Sequence, residues 1–522
     1  MKMFTKRGLA LALAIVMVLS LAACTSNPSS STAGEAPWGE DGKPFTKDTT
    51  VSIVVGSHAS WPYNAEWKMW QYLIEGSGAT VDVDAIVGSD YATKINLMFA
   101  DSDSLPDLLH MDDKQLLDQH ASAGGLIAID DHLDEMPNYT KALNEYDPEV
   151  RAGLERERKS ADGKVYWPVV LGTGTVQNAQ GWLYRKDILE KHNLAVPKTL
   201  DELVSVCREL KKLYPESYPF CPRGGGGVYT IFGPMFQPYL DYTFYYDFTD
   251  ETWKFGPMEN GTRELVEFMV MMQKEGLAHP NGTIIDTTTF DEYVTTGKLF
   301  FTNHYLVRQS YYNVPMQETN PEFEFMAMVP PTATRGEQKM GKTTIVRSGL
   351  TIPNTKNESR IGNAIRFLDY MYSDTAKELL SWGKEGETYN VDANGNKAFI
   401  LEGEETVQLK YGAATSGLLQ RVDELAYNEI VASGSPIDPA IFEYTEDNVN
   451  PSKWLSFNDE ERAVYNQYFD AVSNYASEWL DKFVLGIEPL TDETWNAGIE
   501  QLKKLGVNEL LEIYNSAWER VK

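Results

Sequence analysis

Cysteine is scarce: Cys24, Cys207 and Cys221 are the only three in 522 residues, which excludes a disulfide framework and leaves room for one bond, Cys207 to Cys221. No C-x-x-C pair occurs. The seven histidines, His58, His110, His120, His132, His192, His279 and His304, never stand three or four residues apart, so no helix offers a zinc seat and no metal is expected. A G-x-S-x-G nucleophile elbow is absent as well. Positive charge is in deficit, with 46 Lys and Arg against 76 Asp and Glu, and the resulting net charge of −30 repels phosphodiesters and anionic headgroups. Nucleic acid is thereby excluded as a partner. What the chain does have is apolar and aromatic mass. Hydrophobic residues make up 42% and aromatics 12%, enough to bury cores over most of a length that corresponds to roughly three domains or two large lobes.

The one long apolar run lies at the start. Lys2, Lys6 and Arg7 precede Leu9 to Leu21, and the run ends in Leu21-Ala22-Ala23-Cys24. Because a bilayer span needs roughly 20 apolar residues, this run is too short for a permanent transmembrane helix and reads as a secretion signal. Its end resembles the lipobox of bacterial lipoproteins, which implies cleavage before Cys24 and acylation of its thiol. Two or more acyl chains hold a protein stably on a membrane where one does not. Residues 25–46, rich in Ser, Thr and Pro at first, read as a flexible linker that lifts the folded part off the surface.

The β-branched run Thr50 to Val55, ended by Gly56, predicts a strand, and Trp67, Trp70, Leu73 and Ile74 share one face of a following helix. An alternating segment from Ala79 to Val87, a helix from Tyr91 to Ala100 and a short strand Leu105 to Leu109 complete a βαβαβ order, which favours a largely parallel sheet. Farther on, Thr199 stands three residues before Glu202 as a capping box for a helix carrying Leu203, Val206, Cys207 and Leu210. Cys207 on that apolar face reads as a core thiol. Leu265, Phe268, Met269 and Met272, and then Ile361, Ala364, Ile365 and Leu368, mark further amphipathic helices, and the chain is mostly helical from Asp459 onward.

Gly336-Glu337-Gln338-Lys339-Met340-Gly341-Lys342-Thr343 matches the phosphate-cradling G-x-x-x-x-G-K-[ST] pattern. The match is a decoy. That loop must open a helix whose free N–H groups hold phosphate, whereas Thr343-Thr344-Ile345-Val346 is β-branched and leads to Pro353. Acidic pairs such as Asp112-Asp113 could serve glycoside hydrolysis, but among 76 acids such pairs arise by chance. The segment His58-Ala59-Ser60-Trp61-Pro62-Tyr63 carries more information, because it follows the first strand at the carboxyl end where open α/β sheets bind ligands. Sugars lay C–H faces on aromatic rings while their hydroxyls bond to polar side chains. A second cluster, Tyr239, Tyr242, Tyr245 and Tyr246, reads as core or rim packing.

Several blocks together resemble the extracellular solute-binding lipoproteins of ABC importers (family 1), in particular the large carbohydrate-associated members of Gram-positive bacteria. They are Leu105-Pro106-Asp107-Leu108, Asp162-Gly163-Lys164-Val165-Tyr166-Trp167-Pro168, Tyr184-Arg185-Lys186-Asp187-Ile188-Leu189 with Pro197-Lys198-Thr199, Glu275-Gly276-Leu277, Gly297-Lys298, and Trp382-Gly383-Lys384-Glu385-Gly386-Glu387-Thr388-Tyr389. The resemblance implies an α/β, two-lobed periplasmic-binding-protein-like fold (type II) with hinge-linked lobes and a helical C-terminal region. It places lobe 1 in residues 47–170 and 306–348 and lobe 2 in 174–302 and 352–522. By the same resemblance the ligand groups come from His58, Ser60, Trp61 and Tyr63, from Asp112 and Asp113, from Thr173, Thr175 and Gln177, from Arg223 and Tyr229, and from Asn303, His304 and Tyr305. Some large relatives carry a calcium loop before lobe 2's glycine-rich turn. Here Tyr214 to Phe220 replaces it, so no structural calcium is expected there.

The function implied is that of a monomeric, non-catalytic, lipid-anchored receptor without a cofactor, which captures a solute, an oligosaccharide before all, and delivers it to a membrane permease. A peptide or another organic solute in the same cleft is the first alternative. A surface glycosidase and an adhesion lipoprotein are more distant ones.

Overall fold

The computed structural model describes residues 43–58, 61–172, 180–222, 227–282, 285–306, 308–333, 338–342, 349–402, 405–432 and 437–522. The signal segment, Cys24, most of the expected linker, and Ser60, Thr173, Thr175, Gln177 and Arg223 lie outside them. The linker ends sooner than its composition predicts. Phe45 is buried, its N–H donates to the Ser77 carbonyl at 3.0 Å, and its ring packs on Phe367 with centroids 6.0 Å apart, so the folded body already includes the last residues of the 25–46 span.

The first lobe is built on strands β1 (Thr50–Ser57), β2 (Thr80–Val87) and β3 (Leu108–Met111), with β1 pairing in parallel with both others. Val51, Ile53, Val54 and Val55 of β1 are all buried, as a central strand covered on two faces requires. The helix Lys68–Ser77 connects β1 to β2 and stops at Gly78, whose φ of 78° only glycine adopts cheaply. Helices Lys114–Ser122, Pro137–Leu143 and Pro148–Arg156 follow β3.

The second lobe begins with β4 (Gln180–Arg185). Helices Leu200–Leu213 and Asn260–Lys274 flank the hairpin β5 (Phe244–Asp247) with β6 (Thr252–Phe255), and β7 (Phe301–Tyr305) then pairs antiparallel with β4. Thr199 caps its helix as predicted by accepting the Glu202 N–H at 3.1 Å, but the Glu202 carboxylate takes the Lys198 N–H instead of closing the box on Thr199. The segment that replaces a calcium loop is closed by a lysine: Lys211 Nζ donates to the Ser217 carbonyl at 2.6 Å and lies 4.9 Å from the Tyr218 ring centroid.

The expected lobe boundaries need correction over the second half of the chain. Strand β8 (Phe325–Met328) pairs antiparallel with β4, and Leu306, Tyr312, Phe323 and Phe325 share a core with Leu183, so residues 306–342 belong to the second lobe. After β9 (Met340–Lys342), strand β10 (Gly349–Thr351) pairs antiparallel with β3, giving the order β10-β3-β1-β2. Helices Glu358–Tyr370 and Asp374–Ser381 then bury Ala364, Ile365, Leu368 and Ala376 against Val51 and Leu73. The small hairpin β11 (Tyr389–Val391) with β12 (Lys397–Phe399) and residues up to Ile430 stay in that lobe. The reason for the miss is physical: an apolar helix face states that it is covered, not by which lobe.

From residue 437 the chain is again in the second lobe. Strand β13 (Thr445–Val449) pairs with β9, and helices Asp459–Val484, Asp492–Lys504 and Val507–Glu519 pack Trp479, Trp495, Tyr514 and Trp518 into its core. Among the described residues the chain therefore changes lobe three times: between 172 and 180, between 342 and 349, and between 432 and 437. Cys207 and Cys221 are buried free thiols, and burial raises the pKa of each.

Candidate functional site

Strand direction decides which edge of each lobe faces the crossings. Strands β1, β2 and β3 run in parallel, so their carboxyl ends lie together, and Gly349, just past the second crossing, pairs with Met111 at that edge. In the second lobe Gln180, just past the first crossing, pairs with Tyr305. Ligand candidates His58, Trp61 and Tyr63, Asp112 with Asp113, and Asn303 to Tyr305 accordingly lie on the two crossing edges.

On the first lobe the His58 and Trp61 rings stack with centroids 4.0 Å apart and planes 12° from parallel. Burial lowers the His58 pKa from its ordinary 6.5, which keeps the ring neutral near pH 7. Tyr63 stands edge-on to Trp67 and Trp70 at 6.0 and 5.9 Å, and its N–H donates to Ser57 Oγ at 3.1 Å. Burial, with Asp82 nearby, raises the Tyr63 pKa, so its hydroxyl stays protonated. A small pocket opens among Gly56, His58, Trp61 and Tyr63 on one side and Thr415 and Ser416 on the other.

Thr415 and Ser416 were not legible as site residues. They lie some 350 residues after the aromatic loop and belong to no motif. One signal does mark them, the flanking glycines: Gly412 (φ 76°) and Gly417 (φ 82°) adopt left-handed backbone, and a Cβ would come within 2.7 Å of the Trp67 ring and 2.6 Å of Val55. Only a bare backbone lets this loop close over the indoles.

Asp113 has a structural task. Its carboxylate accepts the N–H groups of Gln115 and Leu116 at 2.8 and 3.0 Å and so caps the helix Lys114–Ser122, while Asp112 beside it is exposed. Lys114 is buried and bonded to Asp118 at 2.6 Å and Ser160 at 3.2 Å. On the second lobe Asn303 and His304 are buried in β7, whereas Tyr305 remains 38% exposed. His304 Nδ1 accepts the Tyr305 N–H at 2.7 Å, and its ring packs on Phe290 with centroids 5.3 Å apart. Of these three, Tyr305 is the one that reaches solvent. Tyr229 lies in the helix Gly227–Phe236.

The Trp382 to Tyr389 block braces the first lobe. Tyr72 donates to Glu387 at 3.0 Å, Thr388 to the Trp382 carbonyl at 2.6 Å, and the buried Tyr389 to Glu378 at 3.2 Å. Among the described residues no group of three or more His, Cys, Asp or Glu is placed to hold a metal ion. Nor is any helix among them long and apolar enough to cross a membrane.

The chain resembles known proteins over nearly its whole length. It is 22% identical over 535 aligned positions, covering 98% of this chain and 99% of its relative, to the polygalacturonan/rhamnogalacturonan-binding protein YtcQ of Bacillus subtilis. It is 30% identical to the fructooligosaccharide ABC transporter substrate-binding protein FusA of Streptococcus pneumoniae over 233 residues, 41% of this chain and 42% of that protein. In fold it is similar to the alginate-binding protein AlgQ2 (TM-score 0.72, 23% identity, 93% of this chain and 100% of that one). It is likewise similar to FusA in complex with kestose (TM-score 0.69, 20% identity, 91% and 100%). The model of the bacterial extracellular solute-binding proteins matches residues 59–378, more than half of the sequence. With two α/β lobes joined by three crossings, this chain belongs to that family.

Proposed function

We propose that the protein is the solute-capturing component of an ABC importer, anchored outside the cell membrane through Cys24, and that it encloses an oligosaccharide between its lobes. The observation that carries this reading is the flat, neutral His58–Trp61 pair at the carboxyl end of β1, on the edge that faces the crossings. A stacked ring pair offers a sugar's C–H face an apolar platform with no charge to desolvate. Tyr305 from the opposite lobe and the exposed Asp112 supply hydroxyl and carboxylate partners for sugar hydroxyls. Two curated relatives, YtcQ and FusA, are named for binding oligo- or polysaccharides, which favours a carbohydrate over a peptide.

The mechanism needs no nucleophile. Closure of the lobes about the three crossings would bury the guest, and reopening against a permease would release it, with ATP hydrolysed by a separate cytoplasmic subunit. Affinity would come from stacking and hydrogen bonds that form only when both lobes contribute.

Calorimetry against fructooligosaccharides, oligogalacturonides, alginate oligosaccharides and a peptide library tests this. The expected result is saturable binding of one carbohydrate class, with the guest recovered intact by mass analysis. Binding of peptides instead, or recovery of a cleaved sugar, would overturn it. Cys24→Ser should release the protein into the medium if the anchor is as proposed.

A further inference from the structure

Two stretches far apart in sequence meet at the seam between the lobes, away from the aromatic loop. The first lobe supplies the helix Pro148–Arg156 and the turn that follows it, the second lobe Ser456 and the last turn, and between them lies a groove of about 560 Å³. It shares no lining residue with the pocket beside Trp61.

Its charge runs against that of the molecule. In a chain of net charge −30 the groove is lined by Arg156, Lys159, Arg520 and Lys522, with Glu149 as its one acidic residue. Arg520 is held in place: its guanidinium donates to Glu461 at 2.7 Å and to the Ser456 carbonyl at 3.0 Å. Lys522 is paired with Glu519 at 2.5 Å. Arg156 and Lys159 are different. Arg156 lies 5.8 Å from the Trp454 ring centroid, and Lys159 is close enough to Asp130 to act on that carboxyl electrostatically. Both are exposed.

The walls are fixed as well. Ser456 Oγ donates to the Lys159 carbonyl at 3.0 Å, and Arg462 Nη1 to the Gln115 carbonyl at 3.2 Å, so the two lobes are fastened beside the groove. Ser160, buried in its wall, is tied to Asp118 at 2.5 Å. Two exposed cations of one lobe thus line, together with the held guanidinium of Arg520 from the other, a space wide enough for a small molecule. Convergent cations of this kind repel one another until an anion lies between them, and guanidinium groups match the oxygens of carboxylate and phosphate in geometry. On a surface that elsewhere repels anions, such a concave basic patch concentrates them.

We propose that this seam groove is a second binding site, separate from the sugar cleft, for a small oxyanion bearing a phosphate or carboxylate group. The site stands whether or not the guest of the cleft is an oligosaccharide.

The test is calorimetry on the mature protein at constant ionic strength set with sodium chloride, titrating inorganic phosphate in one arm and galacturonate in the other. Saturable binding in either arm is expected, and the stronger arm identifies the source of the oxyanion. The double variant Arg156→Gln/Lys159→Gln should weaken it at least tenfold, whereas Arg156→Lys/Lys159→Arg, which keeps both charges, and Trp61→Ala should not. Phosphorus-31 line broadening of phosphate by the wild type gives a readout independent of any variant. Absence of saturable binding in both arms, or binding untouched by the double Gln variant, would overturn the proposal.

Discussion

Two aromatic clusters look alike in sequence and end in opposite situations. His58, Trp61 and Tyr63 follow a parallel strand at the edge facing the crossings, and the stacked His58–Trp61 pair is left partly open to solvent. Phe244 to Tyr246 lies in the antiparallel hairpin β5–β6, where Phe244 stacks on Tyr514 at 4.5 Å and Tyr246 packs on Trp518 at 4.8 Å. Helices that arrive more than 200 residues later cover the second cluster. Ring content therefore does not set the role of an aromatic segment. What covers the strand beside it does.

The contrast predicts its largest effect in the buried cluster. Phe244→Ala, at a fully buried position, should cost about 3–5 kcal/mol in urea unfolding, as truncated core aromatics do, and leave affinity for the guest unchanged wherever the protein is folded. A smaller loss would show that the C-terminal helices repack over the gap.

Two buried titratable groups of the first lobe show that covering can act on stability with either sign. Asp369 accepts from Asn138 and from the Tyr139 N–H at 2.7 and 2.9 Å, yet burial dominates and pushes its pKa up from 3.8 to about 6. Its contribution to stability is present below pH 3.8 and is lost as pH rises through about 6, an effect on the order of 2–3 kcal/mol. His110, buried in β3, has its pKa lowered to about 4 by burial, so its contribution is present above pH 6.5 and is lost as pH falls through about 4. The two slopes oppose each other between about pH 4 and 6. Relative to the wild type, melting temperature should rise more steeply with pH in Asp369→Asn and less steeply in His110→Gln. Unaltered slopes in both variants would contradict the assignment.

In the open cluster the sign is reversed: binding suffers and stability hardly does. Trp61→Ala should weaken guest binding about tenfold, ~1.4 kcal/mol, while shifting unfolding by less than about 1 kcal/mol. Equal loss of stability in Trp61→Ala and Phe244→Ala would erase the comparison. The smallest expected effect concerns the thiols. Cys207 and Cys221, both buried, should stay unreactive toward a thiol-labelling disulfide until the protein unfolds, with two groups then titrating in the Cys24→Ser form.

Individual elements of both lobes were legible because their signals are local. A β-branched run, a period-2 strand and a capping Thr need only their neighbours, and β1, β2 and the helix after Thr199 stand where the pattern predicts. The phosphate-loop match was legible as a decoy on the same grounds, since Met340 to Lys342 form strand β9 paired with β13. Residues 306–430 were not legible in their lobe membership, because the faces of Ile365 and Phe325 fit either core and only pairing over more than a hundred residues selects one. The same holds for Thr415 and Ser416, whose place beside Trp61 depends on two glycines meeting an indole and a valine. Asp113 shows a role its motif did not announce: a residue expected at the ligand also caps a helix, its Oδ1 accepting the N–H groups two and three positions ahead.

The most direct measurement is X-ray scattering of the mature protein with and without the carbohydrate that calorimetry selects. A decrease in radius of gyration on saturation, lost at the same sugar concentration in Trp61→Ala and regained at a tenfold higher one, is the predicted result. A radius unchanged by a saturating, tightly bound sugar would contradict capture by closure of two lobes.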